Sequence, residues 1–271
     1  MIRDAAMRVD AARYADYDPI AWYYDRYWAT EYVDSALPIL DKLVLERLPA
    51  AAPVLDLCCG SGHLTQVLAA RGFCVTGLDR SERMLHYARR RAPAARFVLA
   101  DARTFAFQPA FAASVSTFDS LNHVLASEDL IAVFRNVHRA LLNGGCLVFD
   151  LNVQEAYEND WGKSSAIVAE DHALIVHGSY DPLSRIGRTQ ITMFRVDDVE
   201  NIGRIGTVDK PPRAWRRADA HLLQKCHSVS DICAALRLAG FRDVEASDAR
   251  RDLGMTGRLS LGRTFFRARK P

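Results

Sequence analysis

An α/β fold with a largely parallel sheet is what this sequence predicts, and three observations carry it. From residue 53 onward, short apolar runs alternate with stretches of helical periodicity. The first run, "PVLDL", passes through the glycine-bearing turn "CCGSGH" into an amphipathic stretch, and a turn between strand and helix is a place where backbone N–H groups can meet a ligand. Beyond residue 160 polar and apolar residues alternate or nearly so, which marks inserted antiparallel strands with one wet face.

Taken in order, the core strands are "PVLDL", "FCVTGL", "RFVLA", "AASVSTF" and "GCLVFDL". Ser81 is a suitable N-cap for a helix over 81–91 that turns Met84, Leu85 and Ala88 inward. A second helix is predicted over 127–142, with Leu130, Val133, Phe134, Val137 and Leu141 at helical spacing and Gly144-Gly145 as its stop. The inserted strands are read in "SAIVAEDHALIVHGSYD", "RIGRTQITMFRVD" and "AWRRADAHLLQKCHS". Before the last of these, "ENIGRIGTVDKPPR" is a turn-rich loop, locally basic through Arg204, Lys210, Arg213, Arg216 and Arg217. It reads either as a solvated loop or as an anion-reading lid. The helical pattern returns in "VSDICAALRLAGF", and "DVEAS" and "RLSLGRTFFRARK" close the chain as strands.

The bulk composition narrows the function. With 271 residues and a formal charge of +2, the chain has room for one core with an embellishment and no basic face for nucleic acid, so a small-molecule partner is expected. The first residues, "MIRDAAMRVDAARYADYD", lack an apolar signal region, and no run approaches the roughly 18 apolar residues of a membrane helix. A cytoplasmic protein without a membrane partner is the expectation. Six cysteines without a C-x-x-C pair read as reduced core thiols, and eight histidines without a close cluster predict no metal site. Only five of the 35 basic residues are lysine, a bias that suggests a GC-rich bacterial source and, with it, specialised metabolism.

The turn excludes two common ligands. It has neither the lysine nor the second glycine of a triphosphate-binding loop, and Thr65 stands where a dinucleotide fingerprint needs its third glycine. Asp56 ends the first strand, and Asp79 ends the second, 19 residues after Gly60, where a carboxylate suits two ribose hydroxyls. Asp101 ends the third, where it can accept from an exocyclic amine. Adenosine without phosphates satisfies all three.

At this point the chain resembles the class I S-adenosylmethionine-dependent methyltransferases: "VLDLCCGSGHL", "VTGLDRSERML", "LADARTF", "STFDSLNHV" and "LLNGGCLVFDLN" occur in that family's order. The resemblance covers about residues 14 to 160 and, weakly, the last strands. It implies a Rossmann-like sheet of seven strands in the order 3-2-1-4-5-7-6, the last antiparallel, with helices on both faces. It divides the chain into an N-terminal helical lid (1–50), a cofactor-binding core (51–160), an antiparallel β insertion (161–228) and a C-terminal helix with the last strands (229–271). It also implies S-adenosyl-L-methionine as cofactor. Asp56, Cys58, Gly60 and Gly62 would line its methionine end, Asp79 its ribose, Arg80 and Met84 its adenine faces, and Asp101 with Ala102 the adenine edge. Phe118 would complete the pocket. Cys58 departs from the alanine or glycine common there. The family's Y-D-x-x-A-x-x-Y-D segment appears at Tyr17, Asp18, Ala21, Tyr24 and Asp25, and implies a lid in which Tyr17 and Tyr24 face the cofactor and Trp28 the substrate. Those three rings share one helical face, a spacing that simple packing also produces.

The sulfonium already activates its methyl carbon, so the protein has to position, desolvate and remove a proton. The segment after the fourth strand supplies His123, Asn122 and Asp119 as catalytic candidates: a base near neutrality and two groups to orient an amine. The resemblance here is closest to small-molecule N-methyltransferases of amino-sugar type. Asn152, after the fifth strand, is a candidate substrate contact. The insertion would roof the pocket or pair two copies as a homodimer. Two other functions share these motifs: a cyclase or lyase that uses the sulfonium intramolecularly, which needs a small closed pocket, and a cofactor-binding protein without turnover.

Overall fold

The computed structural model describes residues 16–196 and 215–271. A 3-10 turn at Asp18–Ile20 leads into helix α1 (Ala21–Tyr27) and then α2 (Ala29–Leu43). The core follows as β1 (Pro53–Leu57), α3 (His63–Ala70), β2 (Cys74–Asp79), α4 (Glu82–Arg91), β3 (Arg96–Leu99), β4 (Phe111–Ser116), α5 (Ser127–Ala140), β5 (Leu141–Asn152) and α6 (Gln154–Asp160). The insertion is β6 (Ser164–Val168), β7 (His172–Asp181), β8 (Ile186–Val196) and β9 (Trp215–Lys225), and the chain ends with α7 (Val229–Leu238), β10 (Arg242–Asp248) and β11 (Arg263–Arg269).

The main sheet runs β3-β2-β1-β4-β5-β11-β10, parallel from β3 to β5 and antiparallel at β11, which is the strand order expected from the resemblance. Its strands are apolar on both faces because both faces are covered. On one side α5 and α7 pack Phe134, Val137 and Leu236 against Phe149 and Phe266. On the other, α2 and α3 bring Leu40 and Leu68 against Val54, Val115 and Phe265. Each such side chain contributes about 1.5–3 kcal/mol of burial, so the site is carried on a rigid frame.

Helix starts follow the sequence signals. The Ser81 hydroxyl accepts from the Met84 amide at 3.0 Å and caps α4, which buries Met84, Leu85 and Ala88 as expected. Ser228 caps α7 in the same way. Helix α5 ends at Ala140 instead of 142: Leu141 already pairs with Phe111 as the first residue of β5, and sheet pairing wins over helical periodicity there.

The insertion forms a separate four-stranded antiparallel sheet in the order β6-β7-β8-β9. The first inserted segment makes two strands joined by a turn at 169–171, closed by the Ala169 amide on the His172 carbonyl. Arg216 and Arg217 belong to β9 and not to the basic loop, whose residues 200–213 lie outside those described. The inner face of this sheet, Leu174, Ile191, Met193, Ala220 and Leu222, packs on Ile20 and Tyr23 of the N-terminal segment. The insertion and that segment therefore share one apolar cluster. All six cysteines are free; Cys59 and Cys226 are buried, and Cys74, expected in the core, is exposed at the start of β2.

Candidate active site

A cavity of about 940 Å³ lies between the C-terminal ends of the parallel strands, the N-terminal segment and the inserted sheet. Tyr17, Tyr24, Trp28, Cys58, Gly60, Asp79, Arg80, Met84, Asp101, Ala102, Phe118, Asp119, His123 and Asn152 all line it. Asp56 is 2% exposed and faces a small adjoining cavity that shares Tyr24, Cys58 and Phe118.

The turn after β1 works through backbone shape. Cys58 at φ 59° and Gly60 at φ 53° both lie in the left-handed region, which Cys58 enters at the usual cost of about 1–2 kcal/mol for a residue with a Cβ. A Cβ on Gly60 would stand 3.3 Å from the Tyr24 ring. Gly62, expected along the cofactor, instead faces α4: a Cβ there would meet Ala88 Cβ at 2.8 Å. Close packing of two helices and a left-handed φ of 80° both require glycine here, and Gly62 is not among the residues lining the large cavity. Tyr17, Tyr24 and Trp28 do meet, with centroid distances of 5.7 Å and 6.1 Å, but across the 3-10 turn and α1 and not along a single helix.

At the acidic end, Asp79 accepts from the Gly60 and Ser81 amides, each at 2.9 Å, and burial raises its pKa against those bonds. Asp101 receives the Arg103 guanidinium, which lowers its pKa; the expected acceptor for an exocyclic amine thus already carries an ion pair. Burial pushes Asp56 up to about 7, opposed by the Thr65 hydroxyl donating at 2.5 Å. Three contacts draw the N-terminal segment across this end: Arg80 to Asp16, the Ser81 hydroxyl to Asp18, and Arg91 to Asp25 at 2.6 Å.

The candidates after β4 separate into two kinds. Asn122 is fully buried; its Nδ2 donates to the Asn152 and Lys225 carbonyls at 3.0 and 2.8 Å, and its Oδ1 accepts from the Asn152 amide. Its side chain is spent on backbone, so the expected role in orienting an amine gives way to clamping β5 and β9. His123 faces the cavity. Its Nδ1 lies 2.8 Å from the Leu223 carbonyl, which can only accept, so Nδ1 carries the proton and Nε2 the lone pair. Burial lowers the pKa of this ring, opposed by Asp119. Tyr17 and Gln224 stand 2.9 Å and 3.1 Å from Nε2.

A methyltransferase domain model matches residues 54–145. The dTDP-3-amino-3,4,6-trideoxy-alpha-D-glucopyranose N,N-dimethyltransferase of Streptomyces venezuelae is 30% identical over 215 residues, 78% of this chain and 84% of that protein. The chain belongs to the class I S-adenosylmethionine-dependent methyltransferases. YqeM of Bacillus subtilis is 37% identical over 115 residues, 41% of this chain and 47% of that one, so the chain spans about half of that relative's length. Among solved structures, DesVI of Streptomyces venezuelae superposes with a TM-score of 0.71 at 23% identity over 95% of this chain and 99% of that one. CalS10 of Micromonospora echinaspora, an amino pentose methyltransferase, gives 0.67 at 24% over 93% and 95%. Both likenesses concern the fold.

This methyltransferase site includes residues the sequence reading missed. Arg263, at the start of β11 and 2% exposed, sits between Asp119 (2.8 Å) and Asp150 with its guanidinium over the Tyr32 ring. Burial works against its charge, and Tyr32, Asp150 and Asp119 together outweigh that. Asp150 in turn accepts from the Phe118 and Asp119 amides, holding both in left-handed conformations at φ 61° and 49°. From β9, Gln224 donates to Asp119 at 2.6 Å and accepts from the Tyr157 hydroxyl at 3.1 Å. The alternation Ala220, Leu222, Gln224 carried a signal, since a glutamine interrupts an otherwise apolar inward face.

Proposed function

We propose that this methyltransferase transfers a methyl group to an amine of a small metabolite by in-line displacement, with His123 accepting the amine proton. The observation that carries the reading is an imidazole on the wall of a cavity extending well beyond the cofactor crevice, with its proton fixed at Nδ1 by the Leu223 carbonyl and its Nε2 reached by an amine that displaces the Tyr17 or Gln224 contact. An amine attacks only when neutral, and a ring with a depressed pKa keeps its lone pair at physiological pH.

The residues present fit the cofactor. Gly60 lets the Tyr24 ring close onto the turn where a Cβ would crowd it, Asp79 lines the cavity where it can accept from ribose hydroxyls, and buried Met84 with Ala102 offers an apolar wall to adenine. When bound, S-adenosylmethionine supplies a methyl carbon made electrophilic by its sulfonium. Tyr17, Tyr24 and Phe118 line the cavity there and would shield that positive charge from water. Asp56, on the small adjoining cavity, would meet the methionine ammonium. Asn152 and Trp28 line the same cavity as the rings and would meet the acceptor.

The cavity volume favours transfer to a second molecule over intramolecular use of the sulfonium. It lies at the upper end of the roughly 300–1,000 Å³ typical of ligand sites and continues past Gln224 to Lys163 under the inserted sheet. Lys163 and Arg258 on its wall suit an acceptor with an anionic substituent, as on the nucleotide-linked amino sugar named for the Streptomyces venezuelae relative. Incubating the purified protein with S-adenosylmethionine and that dTDP-3-amino sugar, followed by mass spectrometry, tests the proposal. One or two methyl groups added to the sugar, with S-adenosylhomocysteine formed, is the expected result. Methylthioadenosine formed without an acceptor would overturn it.

A further inference from the structure

We propose that Gln224 is a positioning residue that holds His123 as the neutral Nδ1–H tautomer by donating to its Nε2 lone pair until an incoming amine displaces that bond, and limits how readily that ring takes a proton. The inference rests on the reading of His123 as the base.

The hydrogen-bond polarities leave one consistent assignment. The Asp119 carboxylate accepts at 2.6 Å, so the Gln224 atom facing it is the amide nitrogen, and the Tyr157 hydroxyl donates to the Gln224 oxygen at 3.1 Å. That nitrogen lies 3.1 Å from His123 Nε2 and has only hydrogens to offer. The neutral ring accepts them; a protonated ring would face donor against donor. Tyr17 is a different neighbour, because its hydroxyl at 2.9 Å can turn to donate or accept. Gln224 is 6% exposed and pinned at both ends of its amide, so it cannot rotate to receive a proton without turning its oxygen onto Asp119.

Strand β9 therefore sets both sides of the imidazole, through the Leu223 carbonyl at Nδ1 and the Gln224 amide at Nε2. The charged and titratable groups around the ring are Asp119 from its own loop, Asp16 and Tyr17 from the N-terminal segment, and Arg80 from the loop after β2. Asp119 and Asp16 favour the protonated ring, and Arg80 opposes it. Gln224 acts with Arg80, without charge and at contact distance.

The test uses the full chain labelled with ¹⁵N and saturated with S-adenosylhomocysteine, with imidazole nitrogen shifts followed against pH and His123→Gln identifying the signals. The wild type is expected to show the Nδ1–H tautomer. Gln224→Leu and Gln224→Ala should each raise the titration midpoint of His123 by about half a pH unit or more. The acid limb of kcat/KM with the dTDP-3-amino sugar should move up by the same amount. An Nε2–H tautomer in the wild type, or an unchanged midpoint in whichever variant folds, overturns the inference. If His123→Ala is as active as wild type, the reading of the base fails, while the nitrogen shifts still decide whether Gln224 governs the ring.

Discussion

The parallel core and the inserted sheet meet at one cavity but contribute to it in different ways. The core places its groups at the C-terminal ends of parallel strands: Asp56 near the end of β1, Asp79 as the last residue of β2, Asp119 beyond β4 and Asp150 near the end of β5. The insertion reaches the same site through register, delivering the Leu223 carbonyl, the Gln224 amide and the Lys225 carbonyl to residues about 100 positions earlier. Strand ends of an open parallel sheet are a fixed address for ligands; an inserted sheet has none, and what it offers depends on how it docks.

Substitutions can break or sharpen this contrast. The largest effect is expected where core strands are pinned together. Arg263→Met leaves Asp119 and Asp150 buried without their partner, a loss of about 3–5 kcal/mol, and calorimetry should show the melting temperature falling by roughly 10 °C. Next, Asp79→Ala removes a strand-end group: titration calorimetry should show S-adenosylmethionine affinity falling about 100-fold or more, since each hydrogen bond to a charged group is worth about 1.5–3 kcal/mol. His123→Ala sits between the regions. It should leave cofactor affinity within a factor of about three and slow turnover about 100-fold near neutral pH. That deficit should shrink at high pH, where the acceptor amine is already neutral; equal loss of binding and turnover would remove His123 from the chemistry.

The smallest effect separates stability from function within the core. Folded and without cofactor, Asp56 keeps its proton to about pH 7, against an ordinary value of 3.8. Between those values the folded chain binds one more proton than the unfolded chain, so this carboxyl's contribution to stability declines as pH rises and levels off above about 7. Asp56→Asn has no such dependence. It should melt a few degrees higher than wild type at about pH 8, converge with it toward about pH 4, and bind the cofactor less tightly.

What could be read from the chain follows the same division. The core strands, the Ser81 cap and the acids Asp56 and Asp79 were legible because they depend on local periodicity, whereas the strand order came from the family resemblance. Asn122 and Gly62 were read as ligand contacts because residue type and position fit, yet only packing reveals that one clamps backbone and the other abuts Ala88. Gln224 and Arg263 were missed because their shared partner Asp119 is 105 and 144 residues away, a separation that no periodicity reports.

The N-terminal segment crosses the cofactor end on ion pairs: Arg80 with Asp16, largely exposed, and Arg91 with Asp25, largely sheltered. In the proposed lid role of this segment, spent cofactor would part these contacts to leave. Charges in water lose sight of each other beyond about 8–10 Å at moderate ionic strength, so added salt loosens the outer pair first. Product departure is thereby tied to the electrolyte, and stopped-flow traces of S-adenosylhomocysteine dissociation should quicken as potassium chloride is raised.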